Sequence, residues 1–169
     1  IVATVMSNLG MFLMGEREGI HIEKTKVGDR YVLENMLENG YNIGGEQSGH
    51  IIFLDENTTG DGLLSALHLL QVMTETKKKL SELASIMEVL PQALVNAKVP
   101  NHKKEHFEEY AEIAEAIAEV EAKFAGEGRV LIRPSGTEPL VRVMIEGKDQ
   151  QLIESAAQKL AELLSSIML

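Results

Sequence analysis

Two short stretches hold most of the side chains that could do chemistry. The first is Arg133-Pro134-Ser135-Gly136-Thr137-Glu138-Pro139. It lies between two strand-like runs, Arg129 to Ile132 and Leu140 to Ile145. Seven residues are more than a minimal hairpin turn needs. A guanidinium, two hydroxyls and a glycine in one loop suit a phosphate. Arg offers a planar fork to two oxygens, the hydroxyls donate, and Gly136 lets backbone N–H groups come close. The prolines stiffen the loop. A polar hairpin tip that binds nothing would use the same turn residues. In the following run Val141, Val143 and Ile145 share one face, and Leu140, Arg142, Met144 and Glu146 the other. Arg142 can then reach back toward the loop or end in solvent with its stem packed.

The second stretch is Gly44-Gly45-Glu46-Gln47-Ser48-Gly49-His50. Glu46 is an acceptor for two sugar hydroxyls or for an ammonium. Ser48 both donates and accepts, and the glycines let a ligand approach the backbone. His50 could donate to a phosphate or assist proton transfer. A glycine-rich hairpin with an incidental Glu and His is the plainer reading. Gly28-Asp29-Arg30 is either a further ligand-facing loop or a helix start capped by Asp29.

The elements that must position these loops are legible from periodicity. Val2 to Val5 reads as a buried strand, and Ser7 or Asn8 caps a helix that runs to Glu18 and stops at Gly19. Ile20 to Val27 alternates as a less buried strand. A helix from Asp29 carries Val32, Leu33, Met36 and Leu37 inward and ends at Gly40. Strands follow at Asn42-Ile43 and Ile51 to Leu54. Asp61 caps a helix bearing Leu63, Leu64, Leu67, Leu70 and Met73. A short helix from Ser81 turns Leu83, Ile86, Met87 and Leu90 inward. This is a partial α/β domain, a βαβαβ-type and partly parallel layer, over residues 1–90.

Residues 91–169 read differently. A strand lies within Gln92 to Val99, between Pro91 and Pro100. A long helix from Phe107, with Tyr110, Ile113, Ile117, Val120 and Phe124 on its stripe, closes at Gly126. The two strands around the first loop come next. Asp149 caps a last helix with Leu152, Ile153, Ala156, Leu160, Leu163 and Ile167 on one side. The pattern is a small α+β domain, an antiparallel sheet with helices on one face.

Taken together, Gly-Glu-Gln-Ser-Gly-His and, about ninety residues later, Arg-Pro-Ser-Gly-Thr-Glu-Pro resemble two motifs of the α-D-phosphohexomutase family. Thr4-Val-Met-Ser-Asn-Leu-Gly10 and Val27-Gly-Asp-Arg-Tyr-Val32 are similar to the same family. Gln47 and the form Gly-Gly-Glu-Gln-Ser-Gly-His-Ile-Ile-Phe look most like the bacterial members acting on glucosamine phosphates. The resemblance implies the end of that family's third domain, which holds the sugar, and its fourth, which holds phosphate. The whole enzyme would interconvert glucosamine 6-phosphate and glucosamine 1-phosphate through a phosphoserine, with Mg²⁺ assisting, as a step toward cell-wall precursors.

By motif, Glu46 and Ser48 would bind sugar hydroxyls, and His50 would lie near the reacting end or orient its loop. Arg133, Ser135, Gly136 and Thr137 would hold the phosphate that is not transferred. Arg142, Asp29 and Arg30 would be further substrate-facing residues. The family's serine loop and Asp-rich metal loop are not in this sequence, and Asp55, Glu56 and Asp61 do not follow the metal pattern. The chain would thus supply recognition without the phosphoryl donor, would bind no metal itself, and would have the parent enzyme's N-terminal domains as partners. A phosphoglucomutase or phosphomannomutase of the same family, or a non-catalytic phosphosugar-binding module, are the competing readings.

Composition sets the remaining bounds. In 169 residues the net charge is −10, which argues against a nucleic-acid binder or an anionic-membrane binder. There is no cysteine, so thiolate chemistry and disulfides are excluded, compatible with the cytoplasm. The apolar runs are far short of a membrane span, and no signal peptide is visible. Ile1 stands inside a strand-like run, as in a piece of a longer protein.

Overall fold

The three residues of the first strand, β1 (Val2–Thr4), are all buried, as a strand with a parallel neighbour on each side should be. The computed structural model describes residues 1–169, which divide into two compact units, Ile1–Val89 and Leu90–Leu169.

In the first unit β1 leads into α1 (Leu9–Glu18). The Asn8 side chain caps this helix by accepting from Gly10 N, and Gly19 closes it at φ 68°. Then come β2 (Glu23–Thr25), α2 (Asp29–Asn39), β3 (Ile43–Gly45) and β4 (Ile51–Phe53). The sheet order is β2-β1-β3-β4. β1 runs parallel to β2 and to β3, and β3 pairs antiparallel with β4. Val2, Val32, Met36 and Ile52 form the core beneath α2. Gly44 makes that close packing feasible: a Cβ there would stand 2.4 Å from Met36 Sδ and 2.6 Å from Val32 Cγ1.

The strand expected over Ile20 to Val27 shrinks to the three residues that β1 can pair. Ile20 and Val27, beyond the reach of β1, are exposed. α3 (Gly62–Thr76) is capped by Asp61, which accepts from Leu63 N and Leu64 N, yet it buries no residue. Of the expected inward set of the short helix α4 (Leu80–Ala84), Ile86 is exposed. The chain has already left the helix there, and the Ile86 carbonyl is taken by the Arg17 guanidinium.

The second unit is an antiparallel sheet of order β5-β7-β6, made of β5 (Gln92–Lys98), β6 (Gly128–Pro134) and β7 (Leu140–Gly147). α5 (Ala111–Phe124) and α6 (Gln150–Met168) supply its helical layer. Val141, Val143 and Ile145 of the central strand face a core with Ile113, Ile153, Ala157, Leu160, Leu164 and Met168. Leu164 and Met168 replace Leu163 and Ile167 as the fully buried positions at the end of α6.

The helix expected from Phe107 starts later. A 3₁₀ turn over Lys104–Glu109 breaks at His106, and Tyr110 is extended and caps α5. Phe107 is drawn into the core and Lys104, three residues earlier, is buried too, which fixes the turn before the helix can begin. The strands also run further into the first motif than expected. Arg133 and Pro134 pair with Arg142 and Val141, leaving only residues 135–139 as loop.

Candidate functional site

The first unit gathers its chemistry where β3 turns into β4. The turn is closed by backbone bonds from Glu46 N to His50 O and from Gly49 N to Glu46 O, both 3.0 Å, with Gly49 at φ 100°. A β-branched or bulky residue at Gly49 would be strained there. The turn folds three side chains together. Ser48 Oγ donates to Glu46 Oε1 at 2.6 Å, and His50 Nδ1 lies 2.9 Å from Ser48 Oγ and 3.3 Å from Glu46 Oε1. The Glu46 side chain is 11% exposed and that of His50 is 55% exposed, so the acid is the fixed member and the imidazole the open one.

The other oxygen of Glu46 accepts from Gly28 N at 3.1 Å. This bond ties the turn to the start of α2, so residues 28–30 and 46–50 form one cluster. Gly28 itself is the N-cap, at φ 130°, and Asp29 is the first helical residue rather than the cap. Asp29 Oδ1 accepts from Arg30 N at 2.8 Å, while the exposed Arg30 pairs with Glu34 at 2.8 Å, which raises its pKa. Gly60 lies under His50: a Cβ there would be 3.1 Å from the His50 Cα. An apolar cavity of about 420 Å³, lined in part by Met11, Ile43, Gly45, Glu46 and Ile51, borders the turn.

In the second unit the sheet face away from the core carries polar rows, set by register. Arg133, Arg142 and Asn96 lie side by side across the three strands, and so do Arg129, Glu146 and Gln92. The second row is matched: Arg129 Nε lies 2.5 Å from the buried Glu146 carboxylate, and Gln92 donates to it at 3.1 Å. The first row is not. Arg133 and Arg142 are directly opposed, and like charges in that position oppose pairing. Burial first, and Arg142 second, hold the Arg133 guanidinium below its ordinary pKa. Arg142 finds Glu138 Oε2 at 3.1 Å, whereas Arg133 has no hydrogen-bond or ion-pair partner in the protein.

The loop between these arginines is held from inside. Ser135 is 1% exposed. Its N–H donates to Leu140 O at 2.9 Å, and its Oγ accepts from Glu138 N at 3.2 Å. Ser135 therefore braces the turn, while residues 136–139 are exposed. Neither the Gly136 nor the Thr137 N–H donates to a protein acceptor. An unpartnered guanidinium beside two free amides is an arrangement for an anion.

Sequence reasoning missed the Gly28–Glu46 bond, the Arg129–Glu146–Gln92 row and Lys104. The last two depend on long-range register and packing. The first could have been sought from a glycine standing just before a helix.

Residues 1–90 match the phosphoglucomutase/phosphomannomutase alpha/beta/alpha domain III, and residues 94–163 match the C-terminal domain of the same proteins. The chain belongs to the phosphoglucomutase/phosphomannomutase family. Among curated relatives, the phosphoglucosamine mutase of Acetivibrio thermocellus is 65% identical over 97% of this chain. That of Clostridium acetobutylicum is 60% identical over the same share. The chain spans only 36% and 37% of their lengths, respectively. Among solved structures, Aspergillus fumigatus N-acetylphosphoglucosamine mutase in complex with GlcNAc-6P and magnesium has a TM-score of 0.78. It is 17% identical and matched over 99% of this chain and 39% of that one. At that identity the likeness concerns the fold. No helix of this family member is long and apolar enough to cross a membrane.

Proposed function

We propose that this chain is the sugar- and phosphate-recognition part of a phosphoglucosamine mutase, which interconverts glucosamine 6-phosphate and glucosamine 1-phosphate. One observation carries the chemical half of this reading: Arg133 stands unpaired opposite Arg142, beside the free amides of Gly136 and Thr137. The identity to enzymes of that name supports the substrate half.

In this reading the loop from Arg133 to Thr137 anchors the phosphate that is not transferred, with Arg142 adding charge. Ser135 acts mainly by holding the loop's shape, since its hydroxyl already bonds Glu138. The cluster of Glu46, Ser48 and His50 accepts and donates to sugar hydroxyls, with Asp29 and Arg30 at its edge. Anchoring the remote phosphate leaves the other end of the sugar free to be presented to a phosphoryl donor, so that positioning provides most of the rate. His50 and Ser48 are the exposed members of the cluster, and the imidazole is suited to sit near a reacting oxygen.

The donor serine and the Mg²⁺ site belong to the rest of the full-length polypeptide. No three His, Cys, Asp or Glu side chains are grouped here to hold a metal ion. The partners are then the N-terminal domains and the phosphosugar, and the setting is the cytoplasm. The test is conversion of glucosamine 6-phosphate by the full-length protein, compared with this chain alone. The expected result is turnover by the former and none by the latter. Turnover by the isolated chain, or a strong preference of the full-length protein for glucose or mannose phosphates, overturns the reading.

A further inference from the structure

Lys104 is 8% exposed, and its ammonium has no carboxylate partner. A buried cation is ordinarily paired. Here Nζ donates instead to two backbone carbonyls of the loop, those of Ser135 and, at 3.2 Å, Glu138. The lysine lies on the 3₁₀ turn before α5, some thirty residues from the loop in sequence.

The consequence follows from peptide geometry. All peptide bonds in the chain are trans. In a trans peptide the C=O of one residue and the N–H of the next point in opposite directions. Holding the Ser135 carbonyl inward therefore turns the Gly136 N–H away from Lys104, toward the exposed side of the loop. That N–H has no protein acceptor. Glu138 is followed by a proline, which has no N–H, so the second bond fixes the loop without presenting another donor. The ammonium also places its charge behind the Gly136 amide. The space beside Gly136 is open, since a Cβ there would meet nothing within 4 Å.

We propose that Lys104 is a positioning residue of the anion-binding loop, pinning the Ser135 carbonyl so that the Gly136 amide and the charge beneath it face a bound phosphate. The proposal rests on the phosphate reading of this loop. It separates Lys104 from Arg133: the arginine would touch the anion, the lysine acts through the backbone.

The test is titration of the ¹⁵N-labelled chain with inorganic phosphate, followed by NMR, for the wild type, Lys104→Met and Lys104→Arg. Methionine keeps the length and loses the donor. Expected are shifts at Gly136 and Thr137 in the wild type, an affinity about tenfold weaker in K104M, and tighter binding by K104R than by K104M. Spectra away from the loop and from the 3₁₀ turn that carries residue 104 should stay unchanged, and all measurements are made well below each variant's unfolding midpoint. A folded K104M that binds phosphate within about twofold of wild type overturns the proposal, as does equal weakening in K104M and K104R. Should K104M fail to fold, Lys104→Gln is measured against the same threshold. A wild-type loop silent to phosphate instead defeats the phosphate reading itself.

Discussion

Arg133→Met should make the second unit slightly more stable and strip it of its anion site. The side chain lies directly across from Arg142, and burial together with that neighbour disfavours its charged form. Arginine remains protonated at any pH the protein tolerates, so this repulsion cannot be titrated away. Methionine keeps the aliphatic stem against the sheet and removes the charge. Relief of a like-charge cross-strand pair is worth about 0.2–1 kcal/mol. The loss of a hydrogen bond from a charged donor to an anion is worth about 1.5–3 kcal/mol, or roughly 10- to 150-fold in affinity. Thermal unfolding reads both effects. A ligand at ten times its dissociation constant stabilises by about 1.4 kcal/mol. For a unit of this size each kcal/mol moves the midpoint by about 4–8 °C. Phosphate should therefore raise the wild-type midpoint by several degrees at that concentration and leave R133M nearly unmoved. Without phosphate, R133M should melt at or above the wild type. A loss of more than about 1 kcal/mol in R133M would mean that the guanidinium is a structural contact. An equal phosphate response in both proteins would remove Arg133 from the site.

Three further perturbations test the scaffolds around the loops. Glu46→Gln in the full-length protein should fold but lower kcat/KM about tenfold or more, since one carboxylate now serves Gly28 N, Ser48 and His50; unchanged kinetics would make Glu46 incidental. Glu146→Ala should cost about 3 kcal/mol in urea unfolding, because it leaves Arg129 and Gln92 facing an emptied position in a buried row; phosphate binding at the opposite end of β7 should survive. Gly44→Ala should destabilise the first unit by about 1–3 kcal/mol, since its Cβ would overlap Met36 and Val32, and an unchanged unfolding curve would show that α2 can shift at no cost.

The sequence by itself determined the elements whose signals are local. Asp61 and Asp149 cap helices by side-chain bonds to amides two or three residues on, a geometry that a residue type and its position already specify, whereas at the first helix the choice between Ser7 and Asn8 fell to the fold, which uses Asn8. The alternation in β7 gave the core face as Val141, Val143 and Ile145, because a strand turns successive side chains to opposite faces. The two glycine-rich loops, with their acid, hydroxyls and guanidinium, were also legible, since their composition is itself the chemical signal.

Only the tertiary structure decided which groups are spent on the fold and which remain free. Arg133 and Arg129 are alike in sequence, each in the same strand. Register puts Glu146 opposite one and Arg142 opposite the other, so one is neutralised and one is left unpaired. Ser135 is buried, and the fold uses its hydroxyl to accept from Glu138 N, a contact its residue type does not announce. Lys104 gave no local signal: its meaning comes from two carbonyls that lie far along the chain and reach it only when the 3₁₀ turn packs beneath the loop. Caps and alternation depend on neighbours within a few residues. The pairing of charges depends on contacts between distant segments, and these exist only in the folded chain.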